Sequence, residues 1–481
     1  MTPTTVDWES LQRAIAGEVI LPGSPRYEVV RKPTIARFQS VEPKAVVQCT
    51  TPADVSATIT FARRAGLHTA VRSGGHCFAG RSSTEGVVID VTPLSSVSVE
   101  GGLARVGAGA RLEALYDALD QHDLTMAAGC TSSVGIAGLA LGGGFGILGR
   151  KHGLTCDHLL RAEIVLADGR VIDCDEHHHE ELFWALRGAG GGNFGVVTSF
   201  VFRTLPAPAT TGFHLIWPLA AAPALIAAWQ AWAPAAPDEL DATLRLTASA
   251  DAKRPPVVNL LGAMLGTEAD TATLLHDLVS RAGADPASAS QWHGPYREAK
   301  RSLVGLGSIE TDEPAASGQP PQEGHLYGKS EFFRRPLATE TIAALVNSLS
   351  RGLAPSHLRE LSFAPWGGAY NRVPTDATAF AHRDELFMIE HILVITPDAS
   401  IGEQEAAHDW LTRSWTLVHP SGSGGVYPNF PDPDLVDAAH AYYGQNYERL
   451  LQVKAKYDPD NVFRFHQSLP SAAPGHRVAA P

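Results

Sequence analysis

Between Gly135 and Gly146 six residues are glycine, in a stretch that opens Gly129-Cys-Thr-Ser-Ser-Val-Gly135. Glycine loses more backbone freedom on folding than any other residue, so such a run needs a reason. Two are open: a flexible loop, or a surface that a large cofactor approaches to backbone distance. A second glycine-bearing stretch lies upstream, Val71-Arg-Ser-Gly-Gly-His-Cys-Phe-Ala-Gly80. There an apolar run, Thr69–Arg72, reads as a strand that breaks at Gly74 and Gly75 and then presents His76. A strand ending in Ser-Gly-Gly suits a phosphate or a ring edge, because its amides can converge on a ligand.

The flanking pattern mixes helix and strand. Ala45–Cys49 reads as a buried strand. Thr51 caps a helix with Pro52 at its first position and Asp54 in its first turn. Val55, Ile59 and Ala62 fall on one face, and Gly66 closes the helix. The next strand delivers the glycines, making a strand–helix–strand unit. Val87–Val91 is a further strand. Leu112, Leu115, Tyr116 and Leu119 give the helix Arg111–Gln121 its core stripe. Ala162–Ala167 and Arg170–Cys174 form a hairpin around Asp168-Gly169, read as a two-residue turn. Glu180–Arg187 is a short helix and Asn193–Phe202 a strand, with a boundary at Pro206-Ala-Pro208.

From 209 to 430 the texture changes. Strands Thr243–Ala248, Val257–Leu265, Leu326–Phe333 and Leu386–Ile395 alternate with helices near 222–233, 270–282, 339–350 and 402–417. This predicts an antiparallel sheet with helices on one face. Ser308–Gly324 reads as a mobile loop, Asp432–Lys456 as helical, and Ser471–Pro481 as a disordered tail. The expected fold class is α+β.

Composition removes several functions. A net charge of −13 disfavours nucleic acid and anionic membrane partners. No apolar run is long enough to span a bilayer. The five cysteines, Cys49, Cys77, Cys130, Cys156 and Cys174, include no C-x-x-C pair, which argues against a disulfide framework and a zinc site. The first residues lack a basic segment followed by an apolar one, so the expected compartment is the cytoplasm. His177-His-His179 is set aside as a metal site, because consecutive side chains splay apart. Gly328-Lys-Ser330 lacks the spacing and the following helix of a phosphate loop. No G-x-G-x-x-G follows the first strand, and no G-x-S-x-G occurs.

Together these segments resemble the berberine-bridge-enzyme-like branch of the vanillyl-alcohol-oxidase flavoprotein family, over about residues 40–468. The marks, in order, are Arg72-Ser-Gly-Gly-His76, then Gly129–Gly146 followed by Arg150–Asp157. After them come Leu182-Phe-Trp-Ala-Leu-Arg-Gly188 with Gly191-Gly-Asn-Phe-Gly195, and Tyr457-Asp-Pro-Asp-Asn-Val-Phe463. The resemblance implies one FAD in a two-part domain of the PCMH type. Its first part is residues 1–208, with a core from about 40, and its second is 431–481. Residues 209–430 would be the substrate domain. Cofactor contacts are implied at Val71, Arg72, Ser73, Gly74, Gly75, His76, Cys77 and Gly80. More are implied at Gly129, Cys130, Thr131, Ser132, Ser133, Gly135, Ile136, Gly138 and Gly143, and at Val197, Asn461 and Phe463.

His76 is similar to the histidine that family members bond to the flavin 8α-methyl group. A second bond, to flavin C6, would come from a cysteine four residues before Gly135. Thr131 holds that place and Cys130 sits one residue early, so a single link through His76 is expected. Val134, just before that glycine, occupies a position thought to influence oxygen access and is similar to the oxygen-using members. An oxidase is therefore expected rather than a dehydrogenase. A tyrosine is the implied base, with Tyr427 (Gly425-Val-Tyr-Pro-Asn-Phe-Pro-Asp432) and Tyr370 (Trp366-Gly-Gly-Ala-Tyr-Asn-Arg372) as candidates. Free tyrosine titrates near about 10, so either needs help, for which Arg372 and His391 are the candidates. Phe78 stands where sugar-oxidising relatives carry tyrosine, and His466 where relatives often carry asparagine.

The expected activity is hydride transfer from an alcohol, amine or ring C–H of a small natural product to flavin N5, with O2 reduced to H2O2. The alternatives are a carbohydrate oxidase and a flavin-bearing protein without turnover. The expected partners are a small-molecule substrate and O2; no metal is expected, and the oligomeric state is open.

Overall fold

The computed structural model describes residues 6–251, 255–307 and 324–471. The loop expected at Ser308–Gly324 and the tail expected at Ser471–Pro481 lie outside these residues, except for Gly324 and Ser471 themselves.

The first unit is built as the pattern indicates. The Thr51 side chain accepts the Asp54 amide, and the Asp54 carboxylate accepts the amides of Thr50 and Thr51, capping the helix Pro52–Arg64. The strands Ala45–Gln48 and Thr69–Arg72 both run parallel to Val87–Asp90, which lies between them. Glu18–Ile20 adds an antiparallel edge. A second, antiparallel sheet orders Val97–Glu100, Leu103–Gly107, Gly195–Arg203, Leu159–Leu166 and Val171–Asp175. The connection at Asp168-Gly169 is longer than a two-residue turn: Leu166 and Val171 are the last strand residues, and the Leu166 amide bonds the Arg170 carbonyl.

A seven-stranded antiparallel sheet follows. Its order is Ser288–Pro295, Ala209–Pro218, Val257–Met264, Leu240–Ser249, His357–Pro365, Phe387–Ile395, His325–Phe333. The sequence pattern missed Ala209–Pro218, Ser288–Pro295 and His357–Pro365, whose polar residues at intervals interrupt the apolar run. Side chains alternate across the sheet. Leu240, Ala242, Leu244, Leu246 and Ala248 join one buried core with Leu361, Phe363, Ile389 and Leu393. Trp229, Leu345 and Trp410 from the helices Ala222–Trp232, Thr339–Ser350 and Ile401–Val418 close that core. Each fully buried leucine or phenylalanine there contributes roughly 1.5–3 kcal/mol. The opposite face carries Asp241, Thr243, Arg245, Glu360, Ser362 and Glu390, and looks into a cavity.

Arg150 ties the glycine-rich segment to this sheet. Its guanidinium is buried and donates to the carbonyls of Ala233 (2.7 Å), Ala236 (2.7 Å) and Trp366 (2.9 Å). The C-terminal segment packs back on the first core through Tyr442, Leu450, Val453 and Phe463. It is less helical than expected. Pro431 and Pro433 keep 431–437 irregular, and Gly444 (φ +48°) splits the helices Ala438–Tyr443 and Tyr447–Tyr457. Buried Lys454 then donates to Asp458 (2.6 Å) and to the carbonyls of Asn193 (2.7 Å) and Phe463 (2.6 Å). That cation holds together the Gly191–Gly195 and Tyr457–Phe463 segments. No helix among the described residues is long and apolar enough to cross a membrane.

Candidate active site

One cavity of about 940 Å³ runs from the four-stranded sheet to the inner face of the seven-stranded one. The two glycine-bearing segments meet at its middle. A Cβ on Gly74 would lie 2.2 Å from the Gly135 amide, and one on Gly135 would lie 2.3 Å from the Gly74 amide and from Ser73 Oγ. Backbone therefore packs on backbone, which only paired glycines allow. Gly135→Ala is accordingly expected to destabilise the protein by roughly 1–3 kcal/mol, from overpacking. Thermal unfolding should show it, together with loss of bound cofactor from the same sample.

Glycines elsewhere on the wall leave room. An added Cβ on Gly138 or Gly190 meets nothing within 4 Å, and both residues border the cavity. The sequence pattern treated Gly129–Gly146 as irregular. A short helix, Ile136–Leu141, sits inside it, with Ile136, Ala137, Ala140 and Leu141 buried and Gly138 turned outward.

Most residues expected at the cofactor border this cavity. They are Val71, Ser73, Gly74, Gly75, His76, Cys77, Gly80, Gly129, Cys130, Thr131, Gly135, Gly138, Val197 and Phe463. The others do not border it. Arg72 donates to the carbonyls of Val30 (2.7 Å) and Ser82 (3.0 Å). The Ser132 carbonyl accepts the Glu113 amide, and Ile136 is core. Gly143 (φ +114°) packs against Phe380, and Asn461 (φ +50°) makes the turn that follows Asp458. Ser133 acts through its backbone, which bonds the His76 ring.

His76 Nε2 is buried without a hydrogen-bond partner. Burial first, then the Arg111 charge, lower the imidazole pKa to about 4, against the Ser133 bond. The ring is neutral across the neutral range and one nitrogen is unoccupied. The unfolded ring would bind a proton below about 6.5. This residue's contribution to stability is therefore intact above that pH and is lost as pH falls toward 4. Cys130 differs. Burial pushes its thiol up to about 12, and it packs beside Ile147, Leu261, Tyr296 and Leu303.

The expected tyrosines separate. Tyr427 borders the cavity, and its hydroxyl oxygen accepts the Gly144 amide (3.0 Å) and Asn429 Nδ2 (3.1 Å). Asn429 Nδ2 also donates to the Leu139 carbonyl (2.9 Å), so this segment clamps the short helix. Burial holds the Tyr427 phenol well above its ordinary range, the two donors notwithstanding. Tyr370 does not border the cavity. It stacks on Trp366 (4.3 Å), and its hydroxyl donates to the Gly146 carbonyl (3.1 Å). The conceived helpers are elsewhere: Arg372 pairs with Asp238 (2.6 Å), and His391 faces Ser414 (2.8 Å) under the helices.

Sequence reasoning missed the acids on the sheet. Registers place Ser330 opposite Glu390, Glu390 opposite Ser362, and Ser362 opposite Arg245, one polar row across four strands. Ser330 Oγ accepts the Tyr427 amide (3.3 Å), so the row ends at the Tyr427 segment. The Glu390 carboxyl carries no hydrogen bond among the described residues and borders the cavity. Burial, then the like charge of Glu360, raise it to about 8, with Arg245 opposing. Asp241 is raised to about 7 by burial and lies beyond this row, toward Arg150. A single acid inside Phe387-Met-Ile-Glu-His-Ile-Leu-Val-Ile395 was a readable signal. An ionisable group within a buried strand is costly and asks for a use. Around the row the wall is apolar: Leu326, Met388 and Ile392 line the same cavity as Phe78, which stacks on Phe430 (5.7 Å).

The chain matches the model of an FAD binding domain over residues 43–175 and the model described as berberine and berberine like over 426–470. It is 32% identical over 463 residues to the uncharacterized FAD-linked oxidoreductase YgaK of Bacillus subtilis, covering 95% of this chain and 97% of that one. It is 31% identical over 451 residues to a chitooligosaccharide oxidase of Gibberella zeae, covering 89% and 87%. Among solved structures, Physcomitrella patens BBE-like 1 superposes with a TM-score of 0.86 at 28% identity, over 96% of this chain and 99% of that one.

Proposed function

We propose, from the premise that this chain belongs to the berberine-bridge-enzyme-like family of FAD-linked oxidoreductases, that it is an oxidase of small, largely apolar alcohols or amines. FAD bound in this cavity would supply the hydride acceptor and pass the electrons to O2 as H2O2. Everything else falls to the chain. The Gly74–Gly135 contact fixes the His76 loop, and the open faces at Gly138 and Gly190 admit a flat ligand to backbone distance. His76, neutral and with a free nitrogen, fits a single covalent attachment. Cys130, held as a thiol, does not fit a second one.

The observation that carries the reading is Glu390. Its carboxyl faces the cavity without a hydrogen bond, and its raised affinity suits taking a proton from a substrate hydroxyl or ammonium near neutrality. Tyr427 is ill suited to that task, since its phenol stays protonated. Its hydroxyl, fixed by Gly144 and Asn429, orients the substrate instead. The base thus moves from the tyrosines to an acid on the sheet. Val134 borders the cavity with a medium side chain, which agrees with use of oxygen.

A carbohydrate is the competing substrate class, favoured by the similarity to a chitooligosaccharide oxidase. The stacked Phe78 and Phe430 favour an apolar ring. A panel of aromatic and polycyclic alcohols, amines and oligosaccharides added under anaerobic conditions decides between them. Bleaching of flavin absorbance by the apolar members, with peroxide formed on readmitting air, is the expected outcome. Bleaching by oligosaccharides alone transfers the chain to the sugar class. Slow return of colour in air makes it a dehydrogenase.

A further inference from the structure

We infer that Glu360 is a positioning residue for proton transfer: its carboxylate, diagonal to Glu390 on the same face of the sheet, opposes a second negative charge there and so keeps Glu390 basic. This rests on the reading above that Glu390 takes the proton. Glu360 and Glu390 project from neighbouring strands, with Glu360 opposite Ile392, two residues along from Glu390 on the same face. Arg245 lies one strand further across, opposite Ser362. Diagonal neighbours of this kind sit within reach of long side chains. Arg245 Nε meets Glu360 Oε1 at 3.0 Å, and Thr247 Oγ1 donates to Glu360 Oε2 at 3.4 Å. Glu360 is almost wholly buried, with 3% of its side chain exposed, so this pairing is poorly screened by solvent.

No other charged group among the described residues competes from the elements around Glu390. On His325–Phe333, Ser330 lies opposite Glu390, and Gly328 leaves room for its carboxyl: an added Cβ there would sit 3.7 Å from Glu390 Oε1. Lys329, on the same strand, is bound to Asp432 (2.8 Å) and Asp434 (3.0 Å). On His357–Pro365, Arg359 donates to the Arg351 (2.8 Å) and Gly352 (2.9 Å) carbonyls. On Phe387–Ile395, His391 is turned to Ser414. At the Ser330 end of the row stands Tyr427, a neutral phenol. Arg245 and Glu360 are thus the charges that set the affinity of Glu390, the cation lowering it and the like charge raising it.

The test reads the proton directly. Infrared difference spectra of the FAD-loaded protein, labelled with 13C-glutamate, follow the protonated-carboxyl stretch with pH, and Glu390→Gln identifies the band. In Glu360→Gln the midpoint is expected to fall by about one pH unit or more, a tenfold loss of proton affinity. In Arg245→Met it should rise. The acid limb of the rate of flavin bleaching should move in the same directions. A residue that only braces the sheet would lower the rate without moving either midpoint. A midpoint unchanged in Glu360→Gln, with wild-type melting temperature and flavin content, overturns the inference. If Glu360→Gln does not fold, Glu360→Ser, which also removes the charge, takes its place. The base assignment fails separately, if Glu390→Gln bleaches at the wild-type rate.

Discussion

Glutamine at position 390 is expected to slow anaerobic bleaching of the bound flavin about 10²–10⁴-fold, the usual worth of a general base. Glutamine keeps the shape and the polarity of the protonated acid, so flavin content should not change. Stability should rise on the alkaline side. The Glu390 affinity is raised in the folded state, from 4.5 to about 8. The folded protein therefore holds this proton more tightly than the unfolded chain, and stability falls as pH climbs from about 4.5 to about 8. Glutamine removes that slope. Stopped-flow bleaching and thermal unfolding at pH 6 and pH 9 measure the two effects. A variant as fast as wild type would return the base to Tyr427 or to Asp241, a further acid on this face. Asp241→Asn then separates those two.

His76→Ala is expected to abolish covalent retention of FAD completely. After acid denaturation the wild-type protein should carry the added mass of one FAD, and the variant none. The chemistry requires a neutral imidazole with a free nitrogen, and burial supplies both. Binding without the bond should persist at reduced occupancy, because the backbone contacts at Gly74–Gly135 remain. Retention of mass in the variant would assign the attachment to Cys130. For that thiol to react, its affinity would have to fall far below about 12, which its present apolar surroundings oppose. Flavin that washes out of the wild-type protein would remove the covalent link altogether.

The alternation in Leu240–Ser249 shows how much of the substrate domain could be read in advance. Its apolar set lies under the helices, as period-two patterning requires, and the polar set was left without a destination. The three missed strands belong to the same sheet; each was too interrupted by polar residues to stand out. The proposed move of the base from a tyrosine to Glu390 has a related cause. Tyr370 and Tyr427 sit in similar aromatic surroundings in sequence, yet one hydroxyl closes on Gly146 and the other opens to the cavity. Nothing local distinguishes them.

The amino-acid sequence by itself determined the two glycine-bearing segments, the histidine in the first of them, and the alternation of helix and strand. These follow from steric freedom and from hydrophobic period, which act within a few residues. It also placed Thr131, not cysteine, four residues before Gly135. Tertiary structure alone decided that Gly74 touches Gly135 and that Lys454 binds Asn193. It alone placed Ser330, Glu390, Ser362 and Arg245 in one row. Strand register creates that row, and register is set by packing across the whole sheet. A carboxyl's proton affinity depends on which charges and how little water that packing leaves around it, so the chemistry of Glu390 became visible only once the strands were paired.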